Sequence, residues 1–228
     1  SFDKYPEDVK TRARVGALVD PDVERILSLR PDLVAVYATQ DELRTQLARA
    51  GIASFVYKHH GLPDITASMR ALGVATGRAE GGERAARAFE QRVARVRAAV
   101  AGRPRPRTLL VFGREASSLR NIYVSGGTGF LHDALDAAGG DNVFADIPRE
   151  SVQASTELIL ARAPEAIVEL RTTELVGAAD SARSPWQRLA SVPAVRRGRV
   201  HALSGDYLVV PGPRMADAVE ALARVLHP

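Results

Sequence analysis

Not one cysteine occurs in the 228 residues. Disulfides, thiolate metal sites and cysteine nucleophiles are thereby excluded. Lysine is almost absent as well: Lys4, Lys10 and Lys58 stand against 28 arginines. Long apolar runs are missing too. "TLLVF" at 108–112 is typical of those present, far short of the ~20 residues that cross a bilayer. The opening residues carry no signal-peptide pattern, which fits a numbering that begins after a leader was cleaved.

What is present describes a folded chain. Apolar residues make up 46% and charged residues 25%, too rich in core formers for disorder. The length allows one large domain or two lobes of roughly 100 residues each. The net charge of +4 comes from arginines spread over the helices. "RPRPR" (103–107) reads as a linker and "RRGR" (196–199) as a turn. Nucleic-acid binding would call for a basic stripe with aromatics or a known motif, and neither is there.

One phrase occurs twice. "VERILSLRPDLVAVY" (23–37) returns as "TELILARAPEAIVEL" (156–170), with Glu24, Ile26, Leu27 and Pro31 matching Glu157, Ile159, Leu160 and Pro164 at a constant offset, 157 − 24 = 133. Each copy predicts a short helix, capped by Asp22 or Ser155 and ended by its proline. An apolar buried strand follows each. The first half continues with a helix over 41–50, a strand "IASFVY" and a helix in "DITASMRALGVATG". That alternation means parallel strands with helices on the faces.

Residues 79–101 break the rhythm. From about Glu83 to Ala101, Phe89, Val93, Val96 and Val100 share one face of a long helix. We read it as a rigid connector, giving a first lobe over 1–78, a connecting helix over 79–102 and a second lobe over 103–228. The second half restarts with strand "TLLVFG", then "SGGTG" and a helix from about Phe130 to Ala138. After the repeated unit come a short helix at "WQRLASV", the strand "RVHAL" and a closing helix from about Arg214 to Leu226.

Glu24 and Glu157 stand near the second position of their helices, where a negative charge complements the helix dipole. Two carboxylates at equivalent points of two similar lobes also suit docking onto a symmetric partner with two basic sockets. Ligands of α/β lobes sit beyond the carboxyl ends of the strands, where Tyr37, Phe112 and Tyr207 fall; Phe2 stands near the start. The five histidines lack helical H-x-x-x-H spacing, so no bare metal ion is expected; "KHHG" reads as a solvated loop, with Tyr37 and His59 the axial candidates should haem be bound. "SGGTG" resembles an anion-binding turn, but without the Lys-Ser/Thr of a phosphate loop. Gly126, Gly127 and Gly129 read better as a tight turn against the sheet. A Rossmann-like enzyme acting on a phosphorylated small molecule is the alternative from another class.

The phrases "DVERILSLRPDLVAVY", "SGGTGFLHDALDAAGGDNVFAD", "ASTELILARAPEAIV", "WQRLASVPAVRRGRVHAL" and "GDYLVVPGPRMADAVEAL" together resemble the class III periplasmic substrate-binding proteins of ABC importers. The cobalamin binders are nearest, with ferric-siderophore and haem binders as relatives. The resemblance implies two Rossmann-like lobes with parallel sheets joined by one long backbone helix, and a chelate held in the cleft. It implies no catalysis and no cofactor. The protein would be a monomer, periplasmic or lipid-anchored, docking on a permease dimer through Glu24 and Glu157. Phe2, Tyr37, Phe112, Asp206 and Tyr207 match cobalamin-contacting positions. Leu18 and Ser151 stand where cobalamin binders carry tryptophan, which leaves room for a siderophore, with Arg114, Arg120 and Arg214 as candidate anion partners. The lone Trp186 is expected to pack. Against the family pattern, the sequence departs in one respect: the opening strand and helix that the resemblance leads one to expect are absent ahead of "SFDKYP".

Overall fold

A computed structural model describes residues 5–172 and 183–228. The chain forms two compact units, 1–58 and 59–228. In the first, a 3-10 turn (Glu7–Thr11) leads to helix α1 (Val23–Ser28), strand β1 (Leu33–Tyr37), α2 (Asp41–Arg49) and β2 (Ala53–Tyr57). β1 and β2 pair in parallel, in register from Leu33 against Ala53 to Tyr37 against Tyr57. Ile26, Val36, Leu43 and Leu47 form the small core beneath them.

The second unit opens with α3 (Leu62–Ala75) and α4 (Ala79–Val100). α4 is the expected long helix, 22 residues from Ala79 to Val100. At 1.5 Å per residue it runs about 33 Å. It crosses α3 at two glycines: a Cβ on Gly73 would lie 2.9 Å from Gly82 Cα, and one on Gly82 only 2.5 Å from Met69 O. Arg70 ties the pair, its guanidinium bonding Glu83 at 2.7 Å and Glu90 at 2.7 and 2.9 Å. The bond from Arg70, with one from Arg87, holds the Glu83 carboxyl down at about 2.

The sheet contains β3 (Arg107–Gly113), β4 (Ile122–Ser125), β5 (Asp141–Asn142), β6 (Ser151–Ala154), β7 (Ala166–Arg171) and β8 (Val200–Ser204). Its order is β6-β4-β3-β7-β8, with β5 beside β3. β3, β5, β7 and β8 are parallel, as expected; β4 runs antiparallel to both β3 and β6. The second sheet is therefore mixed rather than purely parallel. The reason is local: only eight residues (114–121) join β3 to β4, too few for a crossover to the other end of the sheet.

Side chains alternate across this sheet. Leu110, Val168 and Leu170 face α5 (Phe130–Ala137), α9 (Met215–Leu226), α3 and α4. Leu109, Val111 and Ile167 face α6 (Thr156–Arg162), α7 (Arg183–Trp186) and α8 (Pro193–Arg196), with Ile159, Trp186 and Ala194 at the contact. With both faces covered, every residue from Ala166 to Leu170 is buried, which is why this strand reads as an unbroken apolar run apart from Glu169. Arg92 fastens α4 to α9 through Asp217 and Glu220.

The repeated phrase folds alike in the two units. Asp22 accepts the Arg25 N–H at 2.9 Å, and Ser155 accepts the Leu158 N–H at 3.2 Å. Ile26 and Ile159 are buried; Glu24 and Glu157 are exposed.

Candidate ligand site

In each unit the aromatic side chains gather at the carboxyl ends of parallel strands. In the first unit Tyr37 ends β1 and Tyr57 ends β2. Because the strands are in register, the rings meet, 5.5 Å apart and tilted by 55°. Gln40 fixes the end of β1 by accepting the Tyr37 N–H at 2.9 Å. Its amide also donates to the Leu18 carbonyl at 2.8 Å, and Leu18 itself lines a groove of about 510 Å³ along β1. Tyr57 was not among the expected site residues, although "IASFVY" closes on tyrosine just as "DLVAVY" does. Phe2 lies outside the described residues.

In the second unit Phe112, near the end of β3, borders two cavities. The larger, about 220 Å³, is lined by Phe112, Phe130, Val209, Thr128, Glu150 and Ser151 among others. His59 stands edge-on to Phe130 with ring centres 6.0 Å apart. "KHHG" is therefore not the wholly solvated loop expected: His59 is half-buried, while exposed His60 pairs with Glu150 at 3.0 Å. Tyr207 and Asp206 sit in a 3-10 turn (Asp206–Val209) just after β8. Tyr207 packs with Phe112 and Phe130 against the core, and the Arg214 guanidinium lies 5.9 Å from the centre of its ring. Gly205 is required there, since a Cβ on it would strike the Tyr207 ring at 2.4 Å.

The smaller cavity, about 80 Å³, is lined by Phe112, Arg114, Glu169 and Arg171 with neighbouring backbone. Glu169 is only 3% exposed. It accepts hydrogen bonds from Arg114, from Arg171 and from the Trp186 indole, the last at 2.6 Å. Trp186 is fully buried, as expected of a packing residue, but it also serves as a donor. Of the candidate anion partners, Arg114 is spent on this carboxylate and on the carbonyls of Glu115, Ala116 and Ser118. Arg120 is exposed on the β3–β4 connection.

The "SGGTG" turn is built for packing. Gly126 donates to the Glu150 carbonyl and Gly127 to the Ile147 carbonyl, so neither amide is available to a phosphate. A Cβ at either glycine would press onto the carbonyls of Arg149 or Ala145. Among the described residues, no group of three His, Asp or Glu side chains is placed to hold a metal ion, and no helix is long and apolar enough to cross a membrane.

Aromatic side chains at strand ends beside open cavities suit the holding of a bulky guest. The chain belongs to the periplasmic binding protein family, whose model matches residues 2–207. It is a substrate-binding component of an ABC importer, and a periplasmic location goes with the family. The vitamin B12-binding protein of Salmonella paratyphi A is 27% identical over 228 residues, covering 99% of this chain and 80% of that protein. The structure is similar to that of the periplasmic vitamin B12 binding protein BtuF of Vibrio cholerae, with TM-score 0.80 and 27% identity over 97% of this chain and 84% of that one. It is equally similar to the periplasmic heme-binding protein RhuT from Roseiflexus sp. RS-1, with TM-score 0.80 and 26% identity over 97% and 85% of the two chains. These relatives are binding proteins, not enzymes.

Proposed function

We propose that this chain captures cobalamin or a related corrinoid and delivers it to a permease dimer. The observation that carries the reading is the aromatic side chains at the strand ends of each unit: the ring pair of Tyr37 and Tyr57 in the first, and Phe112 and Tyr207, packed on the same core, in the second. A macrocycle offers broad apolar faces, and aromatic rings supply matching area at low entropic cost. Tyr37, Phe112, Asp206 and Tyr207 are the proposed ligand contacts, with Phe2 a fifth. The proposed lobes remain 1–78 and 103–228 with the helix over 79–102 between them. Glu24 and Glu157 are proposed to dock on the permease, and the protein is proposed to work as a periplasmic or lipid-anchored monomer.

A second reading, haem or a ferric siderophore, is favoured by Leu18 and Ser151. Both border cavities, and neither supplies the ring that a corrin face would stack on. Calorimetric and spectral titration with cobalamin, cobinamide, haem and a ferric siderophore decides between the readings. Binding of either corrinoid with a shifted absorption band supports the first. Silence with both corrinoids, beside a response to haem or the siderophore, replaces it.

A further inference from the structure

The knot around Glu169 does not balance. One buried carboxylate faces two guanidinium groups whose side chains are 6% and 15% exposed, those of Arg114 and Arg171. All three groups stand at the carboxyl ends of β3 and β7, beside the cavity of about 80 Å³. Arg114 is fully committed, its Nε and Nη2 to Glu169 and its Nη1 to three carbonyls. Arg171 is not. Its Nε and Nη2 both turn to a single oxygen of Glu169, at 3.1 and 2.7 Å, and its Nη1 has no partner among the described residues. Glu169, for its part, is saturated, because Trp186 takes up remaining capacity on Oε1.

Among the described residues, the site is thus left with one positive charge beyond what Glu169 balances, in a largely buried pocket. An unpaired charge there is costly, and an oxyanion bonded to the free edge of the guanidinium offsets that cost. The cavity equals about two to three water volumes, enough for one carboxylate or phosphate group but not for a macrocycle. We propose that Arg171 recognises an oxyanion carried on the rim of the ligand, with Glu169 and Trp186 as the positioning residues that aim it. This rests on the reading of the chain as a chelate-binding protein and narrows the substrate class to chelates bearing a peripheral carboxylate or phosphate.

The test uses matched pairs of probes on the whole protein. Haem carries two carboxylates, and its dimethyl ester masks both. Cobalamin carries a phosphodiester that cobinamide lacks together with the rest of its nucleotide, so for this pair the preference counts only as far as Arg171→Gln removes it. The charged member of whichever pair binds is expected to be favoured by about 10-fold or more, the worth of one charge-assisted hydrogen bond. Arg171→Gln is expected to erase that preference while leaving the affinity for the uncharged member within about 2-fold. The ester comparison needs no variant, and the circular dichroism and melting of Arg171→Gln separate a folding defect from a lost preference in the corrinoid pair. Equal affinity within both pairs for the unaltered protein overturns the proposal while leaving the chelate reading intact.

If no chelate binds at all, the site is still assayed. Trp186 is the sole tryptophan, and it is bonded to Glu169, so its emission reports on the knot. Acetate, phosphate and sulfate are then titrated against that emission at constant ionic strength. A saturable change that Arg171→Gln abolishes sustains the oxyanion site and refutes the chelate reading. A linear, non-saturating response identical in both forms refutes the oxyanion site as well.

Discussion

Arg30 and Ala163, one in each unit, hold the same left-handed backbone, φ 46° at both. They stand 163 − 30 = 133 positions apart, so the echo in the sequence extends to a backbone conformation that side chains disfavour. Each precedes a proline, which bars the right-handed helical region to the residue before it. The chain escapes through the left-handed region instead, at a cost glycine would not incur. Arg30→Gly and Ala163→Gly are each expected to stabilise the protein by about 0.5–1 kcal/mol. Urea denaturation of the two variants checks it.

Glu24 and Glu157 occupy the same exposed second turn-position of these capped helices. The backbone amide of Glu157 itself, then the hydroxyls of Ser155 and Thr156, hold its carboxyl below the usual range. It therefore carries full charge across physiological pH. Replacing both glutamates by arginine is expected to leave chelate affinity within about 2-fold while abolishing uptake, since exposed side chains contribute little to the fold. Uptake in a reconstituted importer, measured beside solution affinity, separates the two effects; normal uptake by the double variant removes the docking proposal.

Tyr57 is expected to matter as much as Tyr37. Tyr57→Ala removes half of the ring pair and is predicted to weaken chelate binding by about 10-fold, whereas Tyr57→Phe keeps the ring area and most of the affinity. Titration of both variants with the best-binding chelate checks this.

His227 gives the fold a pH dependence. Burial, reinforced by the nearby charges of Arg103 and Arg199, pushes its imidazole below the usual 6.5. The unfolded chain then binds a proton at a pH where the folded chain does not. The stabilisation is complete above about pH 6.5 and is lost as pH falls through the depressed folded value. Unfolding free energy measured from pH 7.5 to pH 5 should decline, and His227→Gln should flatten that limb. An unchanged slope in the variant would assign the decline to other groups.

Trp186→Phe leaves part of the buried indole space unfilled and deprives Glu169 of its indole donor. A cost of about 1–3 kcal/mol is expected for a buried acceptor left short of a partner. Calorimetric melting of the variant provides the measurement.

Particular residues show where sequence reasoning reached and where it stopped. The repeat, its caps and its prolines were legible because they are local, set by hydrogen bonds three residues long. The α4 helix was legible, expected over 79–102 and found over Ala79–Val100, though its apolar stripe begins only near Glu83 because Gly81 and Gly82 occupy the first turn, where Gly82 packs closely on α3. Strand β4 escaped notice; "IYVS" is only four residues and its pairing with β6 spans a turn and a helix. Tyr37, Phe112 and Tyr207 were placed at strand ends by counting along single strands. Tyr57 needed only the same count, and was passed over. The Glu169 knot was beyond reach. It joins Arg114 to a glutamate 55 positions away and adds an indole 17 further on, a meeting decided by the order β3-β7 within the sheet.

The notch where Gly73 meets Gly82 has a consequence for inheritance. Elsewhere along α3 and α4 a substitution can be absorbed by a neighbour that shrinks or rotates. At the crossing, backbone lies on backbone, and there is no softer layer to yield. The outward faces of the two helices are free to drift, while this one point admits a single letter of the amino-acid alphabet.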